Sequence, residues 1–361
     1  LNIDGGTVNA GTIGVDTLNI GNSGGTNASH TLGSGESISA GNENIGNSGT
    51  GTFTQTGGTK TVSNILRLGR ESGSSGTYHL SGGSISADSE YLGSSGEATF
   101  NQTGGTNSVS SYFGVGVFSG SQGVYNLSNT GSLIAADEYI GEQGTGSFNQ
   151  TGGTNTVTNG LRIGWTTGSA GTYTISGGTL GVGGSIINGA GTGTLNIDGG
   201  TVTAGTIGVD TLNIGNSAGT NGSHTLGSGE SISTGSETIG NSGTGVFTQT
   251  GGTNTISNNL LVGASSGSSG TYNVSGGSFS ANNSYIGGSS TASGGSGTLE
   301  ISGVGDALFS NTLKIWDAGV VNLSGGMLKA GTIDNTNGGA FNVTGGTLAV
   351  DTFTGNLAMT G

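Results

Sequence analysis

The 361-residue chain contains 83 glycines but no proline and no cysteine, and its formal net charge is −14. Six basic residues against twenty acidic ones disfavour nucleic acid and anionic membrane surfaces as partners, because both attract basic patches. The lack of cysteine excludes a disulfide framework, and without an apolar run of about 18 residues no transmembrane helix is predicted.

An aromatic segment followed by a diglycine recurs along the whole chain, mostly at steps of 20 to 28 residues. It reads FTQTGGT at residues 53–59, YHLSGGS at 78–84, and FNQTGGT at 100–106 and 148–154. A fixed period of this length is typical of solenoids, and glycine at this density disfavours helices. The sequence therefore predicts an all-β fold, a parallel β-solenoid of about 15 coils.

Each coil is predicted to contain three short strands. In one coil these are the aromatic segment 78–81, residues 84–87 after the diglycine, and residues 91–93, which end in an apolar residue and glycine. Period-2 alternation, enrichment in threonine and aromatic residues, and Gly/Ser/Asn punctuation all favour strands over helices.

The alternation also predicts which side chains face the core. One inward column is aromatic and contains Phe53, Tyr78, Phe100, Tyr125, Phe148, Tyr173, Phe247 and Tyr272. A second inward column alternates apolar residues with Gln55, Gln102, Gln150 and Gln249. Stacked side chains gain dispersion and aromatic contacts from each neighbouring coil. The predicted turn residues are Gly57, Gly58, Gly82, Gly83, Gly104, Gly105, Gly152 and Gly153.

Near-identity at long range points to duplication. The string LNIDGGTV at residue 1 returns at residue 195. We expect one continuous solenoid over residues 1–361, made of an eight-coil block (1–194), a partial second copy (195–297) and degenerate coils (298–361). Residues 114–124 and 288–297 are predicted to be loops extruded between coils. Because the chain opens inside a repeat, we expect it to continue in a longer protein.

The repeats resemble a known class of bacterial surface protein. GTFTQTGGTNTVSN, present at residues 51–64 with Lys60 in place of Asn, and SGTYHLSGGSISA at 75–87 are similar to autotransporter- and adhesin-type repeats of Gram-negative bacteria. The resemblance covers nearly the whole chain. It implies a right-handed parallel β-helix that is exported and serves as a stalk, adhesin or surface fibre. It supplies no catalytic residues.

Few polar residues are patterned for chemistry. The glutamine column is interpreted as structural rather than as a row that recognises a ligand, with the amides bonding one another or core backbone, because a buried amide needs partners. His30 and His224 stand where other coils carry an aromatic residue, which favours core histidines over metal ligands. Acids at 88–90 and 137–138 are expected about 10 Å apart in alternate coils, too far to share one ion. We predict no metal site and no cofactor.

Two pairs are expected to face outward on adjacent coils as cation–π contacts: Arg67 with Tyr91, and Arg162 with Tyr139. Such contacts stabilise a coil stack without implying a ligand.

The remaining function classes can be ordered. Sparse cations and dispersed acids disfavour a polysaccharide lyase or tailspike-type glycosidase, and a broken Thr-x-Thr grid disfavours ice binding. We therefore expect a non-enzymatic, extracellular or surface-exposed structural protein. Its expected partners are further copies of itself, end to end or laterally, or the continuation of a longer chain. The alternative is an adhesin that binds host surfaces or glycans through the extruded loops.

Overall fold

The computed structural model describes residues 1–6, 8 and 10–359. These residues form a parallel β-solenoid of about 15 turns, and none of them belongs to a helix. The described residues therefore contain no helix that could span a membrane. The chain divides into two compact units, Leu1–Thr194 and Leu195–Gly361. The boundary falls where the string LNIDGGTV begins for the second time.

The first unit contains these strands: β1 (Asn2–Ile3), β2 (Thr12–Ile20), β3 (Asn27–Leu32), β4 (Ser37–Ile45), β5 (Thr50–Gln55), β6 (Thr59–Leu68), β7 (Ser75–Leu80), β8 (Ser84–Leu92), β9 (Glu97–Gln102), β10 (Thr106–Val115), β11 (Gln122–Leu127), β12 (Ser132–Ile140), β13 (Thr145–Ile163), β14 (Ala170–Val182) and β15 (Ser185–Ile187). Strand β16 (Thr192–Ile197) spans the boundary.

The second unit contains β17 (Thr201–Thr203), β18 (Thr206–Ile214), β19 (Asn221–Leu226), β20 (Ser231–Ile239), β21 (Thr244–Gln249), β22 (Thr253–Val262), β23 (Ser269–Val274), β24 (Ser278–Ile286), β25 (Ser296–Ile301), β26 (Asp306–Ile315), β27 (Gly319–Leu323), β28 (Met327–Asn335), β29 (Ala340–Val343), β30 (Thr347–Gly355) and β31 (Ala358–Met359). The degenerate repeats after residue 298 therefore still form strands.

A typical coil has a short strand, a diglycine turn and a long strand. In the coil that begins with β5, the long strand β6 pairs in parallel with β4 below it and β8 above it. Its register against β8 shifts between Val62 and Ile65. In the next coil, the segments 84–87 and 91–93, predicted as the second and third strands, lie along the single strand β8, which ends at Leu92.

The aromatic residues stack because equivalent strands pair in register. Phe53 lies opposite Tyr78, which lies opposite Phe100 in the next coil. From Phe53 to Tyr173 the neighbouring ring centroids are 4.4 to 5.0 Å apart and the planes nearly parallel. The spacing of parallel strands, about 4.8 Å, matches the stacking distance of aromatic rings. One geometric repeat therefore satisfies both the backbone ladder and the core.

The two glycines of each turn are required for different reasons. Gly58 has a φ of 65°, a left-handed conformation, whereas a Cβ on Gly57 would lie 2.9 Å from the backbone of Ser34 in the coil below. Gly83, Gly105 and Gly153 share the positive φ, and Gly82, Gly104 and Gly152 share the close approach to backbone. The first glycine permits tight stacking of coils, and the second permits both the turn and the close approach of the coil below.

The structure corrects one predicted loop and largely retains the other. Residues 114–124 are not extruded, because Gly114 and Val115 belong to β10 and residues 122–124 belong to β11. Residues 116–121 make the same short turn as residues 69–74. The longer link at 287–295, between β24 and β25, leaves the regular path and contains an antiparallel bridge between Gly288 and Ser293.

Candidate functional site

The structure places the predicted core-ladder residues inside the solenoid. Each of the following side chains is 0% exposed: Phe53, Tyr78, Phe100, Tyr125, Phe148, Tyr173, Phe247, Tyr272, Gln55, Gln102, Gln150 and Gln249. Each of the two units thus has, in these coils, an interior in which aromatic and polar side chains lie on the same short strands.

The glutamines bond core backbone and tyrosine rather than one another. Gln55 Oε1 accepts a hydrogen bond from the Tyr78 hydroxyl at 2.5 Å, and Gln55 Nε2 donates to the carbonyl of Ser84 at 3.0 Å. The same amide donates weakly to the carbonyl of Gly58 at 3.4 Å, in its own diglycine turn. The side chain therefore ties one turn to the strand and the tyrosine of the next coil.

Three further copies repeat this arrangement. The hydroxyls of Tyr125, Tyr173 and Tyr272 donate to Gln102, Gln150 and Gln249 at 2.5, 2.6 and 2.9 Å. Each glutamine amide also donates to the carbonyl of Ser132, Thr179 or Ser278 at 2.9 to 3.0 Å.

A column of buried glutamates adjoins this network and was not predicted. Glu43, Glu90 and Glu138 are 0% exposed and Glu237 is 1% exposed. In the first unit they alternate along one interior column with Leu66 between the first two. A buried carboxylate is costly unless it is paired, so the partners of these acids decide their state.

In three copies the partner is a buried asparagine. Asn107 Nδ2 donates to Glu90 Oε2 at 3.0 Å and to the hydroxyl of Tyr125 at 3.5 Å. Asn155 Nδ2 makes the same pair of bonds, to Glu138 at 3.1 Å and to Tyr173 at 3.1 Å.

The third copy lies in the second unit. Asn254 Nδ2 donates to Glu237 at 3.0 Å and to Tyr272 at 3.0 Å. The Thr234 hydroxyl is a further neighbour of this carboxyl.

These networks contain more acceptors than donors. Within the described part of the chain, no hydrogen-bond donor reaches Glu90 Oε1 or Asn107 Oδ1, and the same holds for Glu138 Oε1 and Asn155 Oδ1. Burial raises the pKa of Glu90 to about 7 and that of Glu138 to about 8, although each accepts a bond from its asparagine. Burial likewise raises the pKa of Glu237 to about 7.

The fourth glutamate has a different partner. Glu43 Oε1 lies 2.6 Å from Lys60 Nζ, and both side chains are fully buried. Lys60 occupies the position of the asparagines and points its ammonium at the face of Phe53, 3.0 Å from the ring centroid. Burial lowers the pKa of Lys60 to about 8, while the Glu43 carboxylate opposes this shift.

A sequence signal for this network exists in its spacing. Each glutamate precedes its glutamine by 12 positions (43 to 55, 90 to 102, 138 to 150, 237 to 249) and its lysine or asparagine by 17. The predicted acid clusters are split by this geometry, since Glu90 and Glu138 face inward while Asp88 and Asp137 face outward. Asp88 accepts from the Ser111 hydroxyl at 2.7 Å, and Asp137 pairs with Arg162 at 2.7 Å.

The histidines lie in the aromatic column, as their position indicates. His30 is 8% exposed, and its ring lies 5.5 Å from that of Phe53. His224 is half-buried, 5.8 Å from Phe247. Burial lowers the pKa of both imidazoles. The described residues contain no group of three or more His, Asp or Glu side chains arranged to hold a metal ion.

An aromatic row runs along the outer wall of the first unit. The Arg67 guanidinium lies 5.7 Å from the Tyr91 ring, and that of Arg162 lies 4.8 Å from Tyr139, so both expected pairs form. Between the two tyrosines, Tyr112 lies over Gly114 and contacts both rings at about 5 Å. The rings pack on one another along the row.

Comparison of the chain with protein-family models, with curated proteins and with solved structures gives no significant match.

Proposed function

We propose that this chain is a non-enzymatic structural protein, a stalk or a segment of a fibre exposed on a bacterial cell surface. The observation that supports this role is the unbroken ladder of in-register parallel pairs from β3 through β5, β7, β9 and β11 to β13. Each coil adds about 4.8 Å of length. Stability in such stacks comes from contacts between neighbouring coils, so length can grow by adding coils.

We further propose that the coils are right-handed and have three sides. The register shift that interrupts β6 between Val62 and Ile65 supports a corner within the long strand. Together with the diglycine turn and the turn at residues 69–74, this gives three corners in one coil.

The proposed partners are other copies of this chain or the continuation of a longer chain, with surface glycans as a further class. The net charge of −14 supports a role in which the exterior repels anionic surfaces and resists nonspecific association. No catalytic step is part of this proposal.

Electron microscopy of the native protein, together with fractionation of the producing cells, tests the proposal. We expect filaments or stalks in the surface fraction. A variant whose ladder is interrupted, with proline at Thr52 of β5, should lose them, while proline at exposed Ser72 in a turn should not. Compact particles confined to the cytoplasm, or lytic activity on acidic polysaccharides, would contradict the proposal.

The link at residues 287–295 favours adhesion as a second candidate function. Its residues 290–293 are exposed, and Trp316 Nε1 donates to the carbonyl of Ser289 at 2.8 Å, which holds the link against the next coil. We expect that replacing it by the shorter turn of residues 263–268 abolishes binding to host cells or glycans. The matched control replaces the turn at 116–121 with that of 69–74. Retained binding after the first change would exclude this surface.

A further inference from the structure

The interior networks contain fewer hydrogen-bond donors than hydrogen-bond acceptors. In the Glu90 copy, the glutamine amide donates to backbone carbonyls, the Tyr125 hydroxyl donates to Gln102, and Asn107 donates to Glu90 and to Tyr125. All side-chain donors are thus used. Glu90 Oε1 and Asn107 Oδ1 remain as two buried acceptors of one acid–amide pair.

Two buried acceptors on one acid–amide pair are destabilising unless a proton lies between them. A carboxylate accepts only, whereas a protonated carboxyl has one hydroxyl to donate. An unsatisfied buried polar atom costs free energy comparable to a lost hydrogen bond, and an uncompensated charge costs more. A single proton on the glutamate removes the charge and supplies the missing donor.

We propose that Glu90, Glu138 and Glu237 are proton-binding sites, each held as a neutral acid that donates to its paired asparagine, so that protons tighten the solenoid and their loss loosens it. These sites lie in the interior of the fold, and proton binding there does not depend on the proposed surface role.

The network of Glu43 supports the view that each buried glutamate needs one positive charge beside it. There the chain supplies the charge itself, as the ammonium of Lys60 on Glu43. Where asparagine replaces lysine, the side chain has no charge to offer. A proton is the occupant that we assign to the buried pair, because it needs no coordination sphere of its own.

The charged groups around each site do not supply a substitute. Glu90 is faced by Lys60 and Glu43 from the preceding coils and by the neutral Tyr78 and Tyr125. The Lys60 charge is already paired with Glu43.

The other two sites are more isolated. Glu138 is faced by Tyr125 and Tyr173, and Glu237 by Tyr272 and the Thr234 hydroxyl. Burial raises the pKa of all four tyrosines far above the ordinary range, so these hydroxyls stay neutral.

The direction of the pH dependence follows from linkage. The three glutamates have pKa values of about 7, 8 and 7 in the folded chain against 4.5 ordinarily, so the folded state binds more protons between these limits. Stability is then greatest below pH 4.5 as far as these groups are concerned, and it declines as pH rises to about 8. Lys60, whose pKa is lowered to about 8 from 10.5, contributes in the opposite sense between those values.

The test compares urea unfolding at pH 5 and pH 8 for the full chain and for a triple variant, Glu90→Gln, Glu138→Gln and Glu237→Gln. A glutamine amide reproduces the donor and acceptor of the neutral acid. We expect the variant to keep its pH 5 midpoint and to lose most of the decline at pH 8. The single variants should each remove about a third of it.

Two controls separate this effect from net charge and from general damage. Neutralising three exposed acids, by Glu97→Gln, Asp306→Asn and Asp351→Asn, changes the charge equally and should leave most of the decline in place. Glu43→Gln leaves the Lys60 ammonium buried without a negative charge beside it, so it should destabilise the chain at pH 5 as well.

Infrared spectroscopy reads the protonation directly. At pH 6 the wild-type chain should show the carbonyl band of buried neutral carboxylic acid, and the triple variant should lose it. An unchanged pH profile in the triple variant would overturn the proposal. So would the absence of that band together with stability that depends on added sodium or potassium, since a metal ion would then be the occupant.

Discussion

The second glycines Gly58, Gly83, Gly105 and Gly153 are constrained both by their own backbone and by the coil below. Gly58 has a φ of 65°, and a Cβ there would lie 2.5 Å from the carbonyl oxygens of Glu36 and Gly33. Gly73 has a similar φ of 79° but open space around the Cβ position. These two residues therefore separate backbone strain from steric overlap between coils.

We expect Gly73→Ala to cost about 1–2 kcal/mol, the strain of a left-handed residue, and Gly58→Ala to cost clearly more. The reason is that both carbonyls are held by backbone hydrogen bonds, because Gly33 accepts from Glu36 and Glu36 accepts from Thr59. Urea unfolding of the two variants measures the difference. Equal losses of stability in the two variants would mean that contact with the lower coil adds no cost at Gly58 beyond the strain of its positive φ.

Lys60 is the one residue that distinguishes the first interior network from the other three. We predict that Lys60→Asn converts this network to the acid–amide type, with Glu43 becoming neutral like Glu90. The variant should then take up about one more proton on folding between pH 5 and 8, measurable by refolding in weakly buffered solution with a pH indicator.

The companion variant for this experiment is Lys60→Met. It fills the same space but offers Glu43 no hydrogen bond, so it should lower stability more than Lys60→Asn at pH 8. If Lys60→Asn left proton uptake unchanged, the equivalence of the four networks would be wrong.

At the scale of strands, the aromatic row on the outer wall depends on Gly114, which has no Cβ. The Tyr112 ring lies over Gly114 and fills the gap between Tyr91 and Tyr139. A Cβ at Gly114 would lie within 3 Å of the Tyr112 ring and hydroxyl. Gly114→Ala should therefore displace Tyr112 from the row and break its hydrogen bond to Glu142.

The expected cost of Gly114→Ala is about 1–2 kcal/mol, since one ring contact and one hydrogen bond to a charged group are lost. Near-ultraviolet circular dichroism should lose intensity from the coupled tyrosines. Gly160→Ala is the matched control, because no atom lies within 3.5 Å of its Cβ position. An unchanged spectrum in Gly114→Ala would show that Tyr112 adapts within the row.

The sequence could predict the aromatic and glutamine columns but not the glutamate column. Strands with a diglycine at a fixed offset show their period-2 alternation plainly, as at Phe53 and Gln55. The glutamates follow the register shift of the long strands, where paired strands differ in length by one residue, as between Val62 and Ile65 of β6 against β8. Counting by twos from Ala87 places Ser89 and Tyr91 inside, whereas Glu90 and Leu92 point to the core.

The charge of the glutamate side chains also favours the wrong assignment. A carboxylate next to Asp88 in an acidic chain is expected on the surface, since charged residues are almost never fully buried unless paired. The pairing depends on the stacking of successive coils, because the asparagine partner lies 17 positions further along the chain.

At the scale of the whole molecule, the packing unit is two coils rather than one wherever the interior networks occur, from Glu43 to Tyr173 and from Glu237 to Tyr272. Glutamate and tyrosine come from one kind of coil, and glutamine and asparagine come from the other. The network of Glu90, Asn107 and Tyr125 accordingly spans three successive coils. A change in coil number should be tolerated when it preserves this alternation and should fail when it does not.

Two deletions in the first unit test this rule. Removing residues 97–144 joins equivalent positions, since Glu97, Gln122 and Thr145 are in register. It leaves Glu90 the same 17 positions from the next asparagine, Asn155. Removing residues 97–121 stacks the Tyr78 coil on the Tyr125 coil instead, so that Glu90 loses its asparagine, Tyr125 loses Gln102, and two buried glutamates become neighbours. We expect the longer deletion to fold cooperatively with a modestly lower urea midpoint. We expect the shorter deletion to lose several kcal/mol of unfolding free energy because it buries unpaired acids and hydroxyls.

Circular dichroism and urea unfolding of both chains at pH 6 measure their strand content and their free energies of unfolding. A shorter deletion as stable as the longer one would show that single coils, each with its own backbone ladder, are the units from which the solenoid is built.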